Sequence, residues 1–179
     1  PRLKFDEETT YMLEDVFSVN QKERIKEKYI IFDTLRPNTA YLNDKHFETL
    51  DECYDTISKF AGRFNVIVKP HPRSRVLSDS NVEIYRNQEI PMEILYAGMP
   101  DLDQKVLVSF ASSAIFTPKI FFDKEPQIIS LHRILHETST SLLFEEIYDK
   151  FRGTYSDVDR VFAPVSLEEL TKILPKLQG

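Results

Sequence analysis

The chain has 179 residues, 41% of them hydrophobic, with 13 Phe and 8 Tyr, enough for one sizeable core and marginal for two. Its formal charge of −6 comes from 29 acidic and 23 Lys or Arg residues mixed along the chain, which argues against a nucleic-acid surface but leaves room for a small anion pocket. The lone Cys53 excludes an internal disulfide and a cysteine-based metal cluster, and no stretch approaches the ~20 apolar residues of a membrane span.

Residues 1–28 begin polar and acidic and become densely charged over Gln21–Lys28. They are expected to be a linker leading in from a preceding region, with a short amphipathic helix over Thr9–Phe17. The start at Pro1, without Met or a signal pattern, points to a fragment of a longer soluble protein. The domain proper is placed at 29–179. Tyr29-Ile30-Ile31-Phe32-Asp33-Thr34 reads as a buried parallel strand running into a loop that continues through Pro37-Asn38. Asp44–Phe60 carries Phe47, Leu50, Cys53, Tyr54, Ile57 and Phe60 at helical spacing, with Cys53 a half-buried thiol and Gly62 as the stop.

Further strands are expected at Phe64–Val68, Val82–Tyr85, Val106–Phe110, Gln127–Ser130 and Val161–Ala163. Helices are expected from Pro91, from Ser113 or just beyond, over Leu142–Phe151, and after Ser166, where Glu169 stands at capping-box spacing. Short apolar runs alternating with helices predict an α/β, Rossmann-like, mostly parallel sheet with helices on both faces, in which ligands bind beyond the carboxyl ends of the strands. Gly62, Gly98, Gly153 and Gly179 fall in no phosphate-loop spacing, so a bound phosphate would need hydroxyls, imidazole, Lys or a helix amino terminus.

Two polar loops follow strands. Lys69 and His71 are two apart in an extended segment, so both face one side, and Pro70 and Pro72 restrict the backbone that aims them. Lys69 would supply charge, and His71 a hydrogen bond or proton to a phosphate oxygen; a surface turn accounts for the same residues. Ser112 and Ser113 offer hydroxyls and free amides, or simply cap a helix. Glu93, in a helix's first turn, suits the dipole there and could also accept both hydroxyls of a ribose. Arg73 and Arg75 would extend a positive rim. His46, His132 and His136 fit packing or exposure better than a metal site, since the last two, four apart, lack a third ligand.

Lys69-Pro70-His71-Pro72, then Ile90-Pro91-Met92-Glu93, then Ser109-Phe110-Ala111-Ser112-Ser113 resembles the ordered motif series in the nucleotide-binding half of bacterial sialyltransferases of the lipooligosaccharide- and capsule-modifying type. The resemblance covers roughly Tyr29–Leu170. It implies the carboxyl-terminal, donor-binding half of a GT-B glycosyltransferase that binds CMP-sialic acid and transfers sialic acid with inversion to a glycan acceptor. By the same resemblance His71 contacts the CMP phosphate and assists its departure, Glu93 holds the ribose, Ser112 and Ser113 bind the phosphate, and Lys69 and Pro72 border the pocket.

The base of such a transfer belongs to a missing amino-terminal domain or partner chain, and neither Asp33 nor Asp44 is assigned that role. No cofactor or metal is expected. A homo-oligomer is compatible with the exposed face such a fragment would leave. The resemblance places the enzyme in the cytoplasm or peripherally at the inner face of the membrane. The alternatives are another GT-B transferase with a cytidine nucleotide donor, such as a Kdo transferase or glycerophosphotransferase, and a non-catalytic α/β interaction domain.

Overall fold

The structure is a computed structural model that describes residues 7–17, 19, 24–35, 42–74, 81–135 and 138–178. Pro37, Asn38, Arg75, His136 and the start of the charged Gln21–Lys28 stretch lie outside the described residues. Six strands form one sheet: β1 (Tyr29–Phe32), β2 (Val66–Lys69), β3 (Glu83–Ile84), β4 (Val106–Ser109), β5 (Gln127–Ser130) and β6 (Val161–Phe162). Every pairing is parallel, so the expected mostly parallel sheet is wholly so, in the Rossmann-like order β3-β2-β1-β4-β5-β6.

Strand alternation sorts the core into two layers. Tyr29, Ile31, Val66, Val68, Val106, Val108 and Ile129 pack against Leu50, Cys53, Tyr54 and Ile57 of α2 (Asp44–Ala61) and Leu170 and Ile173 of α5 (Leu167–Ile173). Ile30, Phe32, Ile67, Leu107, Ile128 and Val161 face the other way. They meet Ile94 to Tyr96 of α3 (Met92–Ala97) and Phe144, Tyr148 and Phe151 of α4 (Ser139–Arg152). The helix α1 (Glu7–Val16) adds Leu13 to this second layer, and Ile25 is buried in it. Both faces of the central strands are therefore dry, which is why these strands read as continuous apolar runs.

Local chemistry sets the ends of α2. The Asn43 side chain accepts the His46 amide, and His46 Nδ1 accepts the Asn43 amide, a reciprocal cap of a kind worth about 1 kcal/mol. Gly62 ends the helix at φ 83°, a left-handed value that favours glycine, and its amide donates to Ser58 O. The strand expected from Phe64 starts two residues later. Arg63–Asn65 form a 3₁₀ turn, and Phe64 is exposed with Arg63 over its ring.

The helix expected at Ser113 is a single 3₁₀ turn, Ser113–Ile115, followed by the π-helical Pro118–Phe122. Pro118 has no amide to give Ala114 O, so an α-helix cannot run through, and the Tyr96 hydroxyl donates to that carbonyl instead. α5 begins as expected: Ser166 accepts the Glu169 amide, while the Glu169 carboxylate takes the amide of Val165 rather than that of Ser166. Among the described residues no helix is long and apolar enough to cross a membrane.

Candidate functional site

In this strand order the chain winds from β1 outward through β2 to β3, then crosses to β4 on the other side of β1. The crevice at that reversal, beyond the carboxyl ends of β1, β2 and β4, is where Rossmann-like sheets take ligands. A pocket of about 310 Å³ opens there. Its lining comes from four separate stretches: Phe32 and Asp33, Lys69 to Pro72, Glu89 to Glu93, and Ser112 to Ala114. All six residues singled out from the motifs, Lys69, His71, Pro72, Glu93, Ser112 and Ser113, line this one cavity.

His71 is held in one protonation geometry. The Arg73 amide donates to His71 Nδ1 at 3.1 Å, so in the neutral ring the proton sits on Nε2, which has no hydrogen-bond partner among the described residues. Partial burial, and then the positive charges of Arg73 and Lys69, lower its pKa below the ordinary histidine value, keeping the ring neutral near pH 7. The turn closes through Ser74 N to His71 O, and Ser74 Oγ reaches Thr34 O, tying the β2 loop to the β1 loop. Arg73 is exposed and stands outside the lining; it acts on His71 through its amide and its field.

Lys69 is buried, and its Nζ donates to Gln88 O at 2.7 Å and lies 5.5 Å from the centre of the Tyr85 ring. Burial lowers its pKa to about 8 against the opposing pull of Glu89 and Glu93. Glu93 is exposed on the first turn of α3, whose amino end has Pro91 as a cap with no side-chain bond.

The serine loop is prepared by Ser109, the buried last residue of β4. Ser109 Oγ donates to Phe32 O at 3.3 Å and accepts the Ser112 amide at 2.9 Å. Ser112 Oγ accepts the Ala114 amide at 3.3 Å. Two of the amides expected to face an anion are thus engaged within the loop, which leaves the two hydroxyls and the Ser113 amide as the donors. With one 3₁₀ turn behind it, the loop carries little helix dipole.

Sequence reasoning gave no role to Asp33, Glu89 or Ser109. Asp33 is 3% exposed at the end of β1, with Oδ1 taking the Tyr54 hydroxyl and the Thr34 amide. Its position after an apolar run matches that of Lys69-Pro70-His71, and that was the available signal. Asp44 stands in the first turn of α2, away from the pocket.

The other two described histidines, His46 and His132, have structural work. His46 is part of the α2 cap. His132, fully buried, meets Ser130 Oγ through Nδ1 and Glu145 Oε2 through Nε2, both at 2.7 Å. Cys53 is fully buried rather than half-buried, and burial, helped by Glu52, raises its thiol to about 12.

A second depression, about 430 Å³, lies at the opposite, amino-terminal ends of the strands beside Lys26, Lys28, Lys105 and Arg160. Three of these four cations are occupied: Lys28 donates to Leu177 O, Lys105 to Lys26 O and Asp101, and Arg160 to Glu125 O and Asp103 O. Their chemistry is that of latches on the loops beneath the strands, and it leaves the strand-end pocket as the better candidate site.

Fold and pocket together define an α/β protein of Rossmann-like topology with a polar strand-end crevice. No protein-family model matches the chain, and comparison with curated proteins and with solved structures finds no match.

Proposed function

We propose that the pocket binds the nucleotide half of an activated anionic sugar, CMP-sialic acid, and that the chain is the donor-binding half of a GT-B sialyltransferase acting on a bacterial surface glycan. The observation that carries this reading is the meeting of three motifs far apart in sequence, His71, Glu93 and Ser112-Ser113, around one crevice at the sheet's reversal point. The pocket volume falls at the small end of the roughly 300–1,000 Å³ typical of ligand sites, which suits a nucleoside monophosphate better than a whole nucleotide sugar. The sugar and its acceptor would then extend toward a second domain or chain.

In the proposed reaction an acceptor hydroxyl oxygen forms a bond to the anomeric carbon of sialic acid as the bond from that carbon to the CMP phosphate oxygen breaks. The bonding pair leaves with the phosphate, and the acceptor's proton passes to a base supplied across the cleft. His71, neutral with its proton on Nε2, hydrogen-bonds the departing phosphate oxygen. The Ser112 and Ser113 hydroxyls share the remaining phosphate charge, and the Glu93 carboxylate accepts from the ribose hydroxyls.

Calorimetric titration of the chain with CMP, CDP and UMP, repeated on His71→Ala, tests the reading. Saturable preference for CMP that weakens in the variant is expected. Stronger binding of CDP would point to a diphosphate-linked donor, and no saturation by any of the three would refute the nucleotide site.

A further inference from the structure

Lys69 ends β2, where the alternation that sends Ile67 toward α3 turns Lys69 to the same face. Its side chain is only 4% exposed. It crosses to the stretch between β3 and α3, donating to Gln88 O at 2.7 Å and resting over Tyr85. The Tyr85 amide binds Val68 O at the end of β3. Past that point, the Lys69 bond is the one hydrogen bond among the described residues that ties residues 86–91 to β2. The same stretch delivers Pro91, the cap of α3, and hence Glu93.

We propose that Lys69 is a positioning residue: its buried amine pins the Gln88–Pro91 segment against the end of β2 and so sets where Glu93 stands relative to His71. The inference rests on the strand-end pocket being the nucleotide site, and it gives Lys69 a structural tie where the motif alone suggested a charge offered to phosphate. The charged groups around it are Glu89 and Glu93 on the facing stretch, His71 and Arg73 on its own turn, and Asp33 at the neighbouring strand end. A neutral amine still donates a hydrogen bond to a carbonyl, so the tie survives loss of the Lys69 proton, whereas a charge contact with phosphate does not.

Two measurements on the full chain separate these roles. Amide hydrogen exchange at pH 7 in Lys69→Met is expected to be at least tenfold faster at Ile90, Ile94 and Leu95 and unchanged in β4 and β5. Unchanged exchange at those three amides would overturn the proposal. Lys69→Gln, which keeps an N–H donor, is expected to exchange more slowly than Lys69→Met and serves as the variant if the latter does not fold.

CMP affinity of the wild type is then compared at pH 7 and pH 9.5, both above the second phosphate ionisation at about 6 and the His71 titration. It is expected to hold within threefold, and a tenfold or larger loss would overturn the proposal in favour of a direct charge contact. Absence of CMP binding at both pH values would defeat the nucleotide reading, while the exchange result, which needs no ligand, would still decide the role of Lys69.

Discussion

Ser109→Ala removes two bonds that no ligand is needed to see. Ser109 is 1% exposed, and its Oγ accepts the Ser112 amide at 2.9 Å and donates to Phe32 O at 3.3 Å. The shorter bond is of ordinary strength, about 1 kcal/mol net, and the longer is worth less. The Ser112 amide is only half-buried, so water repairs part of its loss, whereas Phe32, at the carboxyl end of β1, is 3% exposed and its carbonyl is less open to water. A total destabilisation of about 1–2 kcal/mol follows.

The second effect is on the pocket, because the Ser112 turn loses the anchor that fixes it to β4. CMP affinity should fall about three- to tenfold, less than for Ser112→Ala, which removes a contacting hydroxyl as well. Urea denaturation followed by circular dichroism gives the first number, and calorimetry gives the second. A stability loss under about 0.3 kcal/mol together with unchanged CMP affinity would refute the role assigned to Ser109.

Glu93→Gln should lower CMP affinity by about 1–2 kcal/mol and abolish discrimination between CMP and its 2′-deoxy counterpart, read by the same titration; retained discrimination would move the ribose contact elsewhere. Acid should destabilise the fold in two stages. Burial lowers the pKa of His132, so stability declines as pH falls below the ordinary histidine range, where the unfolded chain takes up the proton first. Glu145, held to about 2 chiefly by Arg133, contributes stability that is complete above the ordinary carboxylate range and is lost as pH falls toward 2. Partial burial works to raise Glu125, but Lys119 and Ser156 outweigh it and hold it near 2, with the same sign of pH dependence. Thermal melts from pH 7 to pH 2 check this, and Glu145→Gln should flatten the lower stage. Cys53, buried and with a thiol near 12, should react with a maleimide no faster than the chain unfolds; rapid labelling under native conditions would contradict its place on the face of α2 packed against the sheet.

The central strands and α2 were legible because burial on both faces leaves its mark as continuous apolar runs such as Tyr29–Phe32, and burial on one face as the 3.6-residue spacing from Phe47 to Phe60. The edge strand β3 shrank from the expected Val82–Tyr85 to Glu83–Ile84, since it pairs on one side alone and composition does not reveal sheet position. Phe64 misled because an apolar residue beside a strand need not be buried. Ser113 promised a helix that Pro118 prevents.

In the site, His71, Glu93 and the serine pair were readable as motifs, but their convergence depends on strand order. Asp33, Glu89 and Ser109 became visible only through it. Lys69 shows the limit most clearly: its position was predictable, while the carbonyl that receives its amine lies 19 residues further along the chain.

The most direct test is to locate the nucleotide on the chain by ¹H–¹⁵N chemical-shift mapping during titration with CMP. Perturbations confined to the amides of Lys69, His71, Arg73 and Ser74, of Ile90 and Met92 to Ile94, and of Ser109 to Ile115 are the predicted result. Perturbations centred instead on the amino-terminal ends of the strands, around Lys105 and Arg160, or none at saturating CMP, would contradict a nucleotide site at the carboxyl ends.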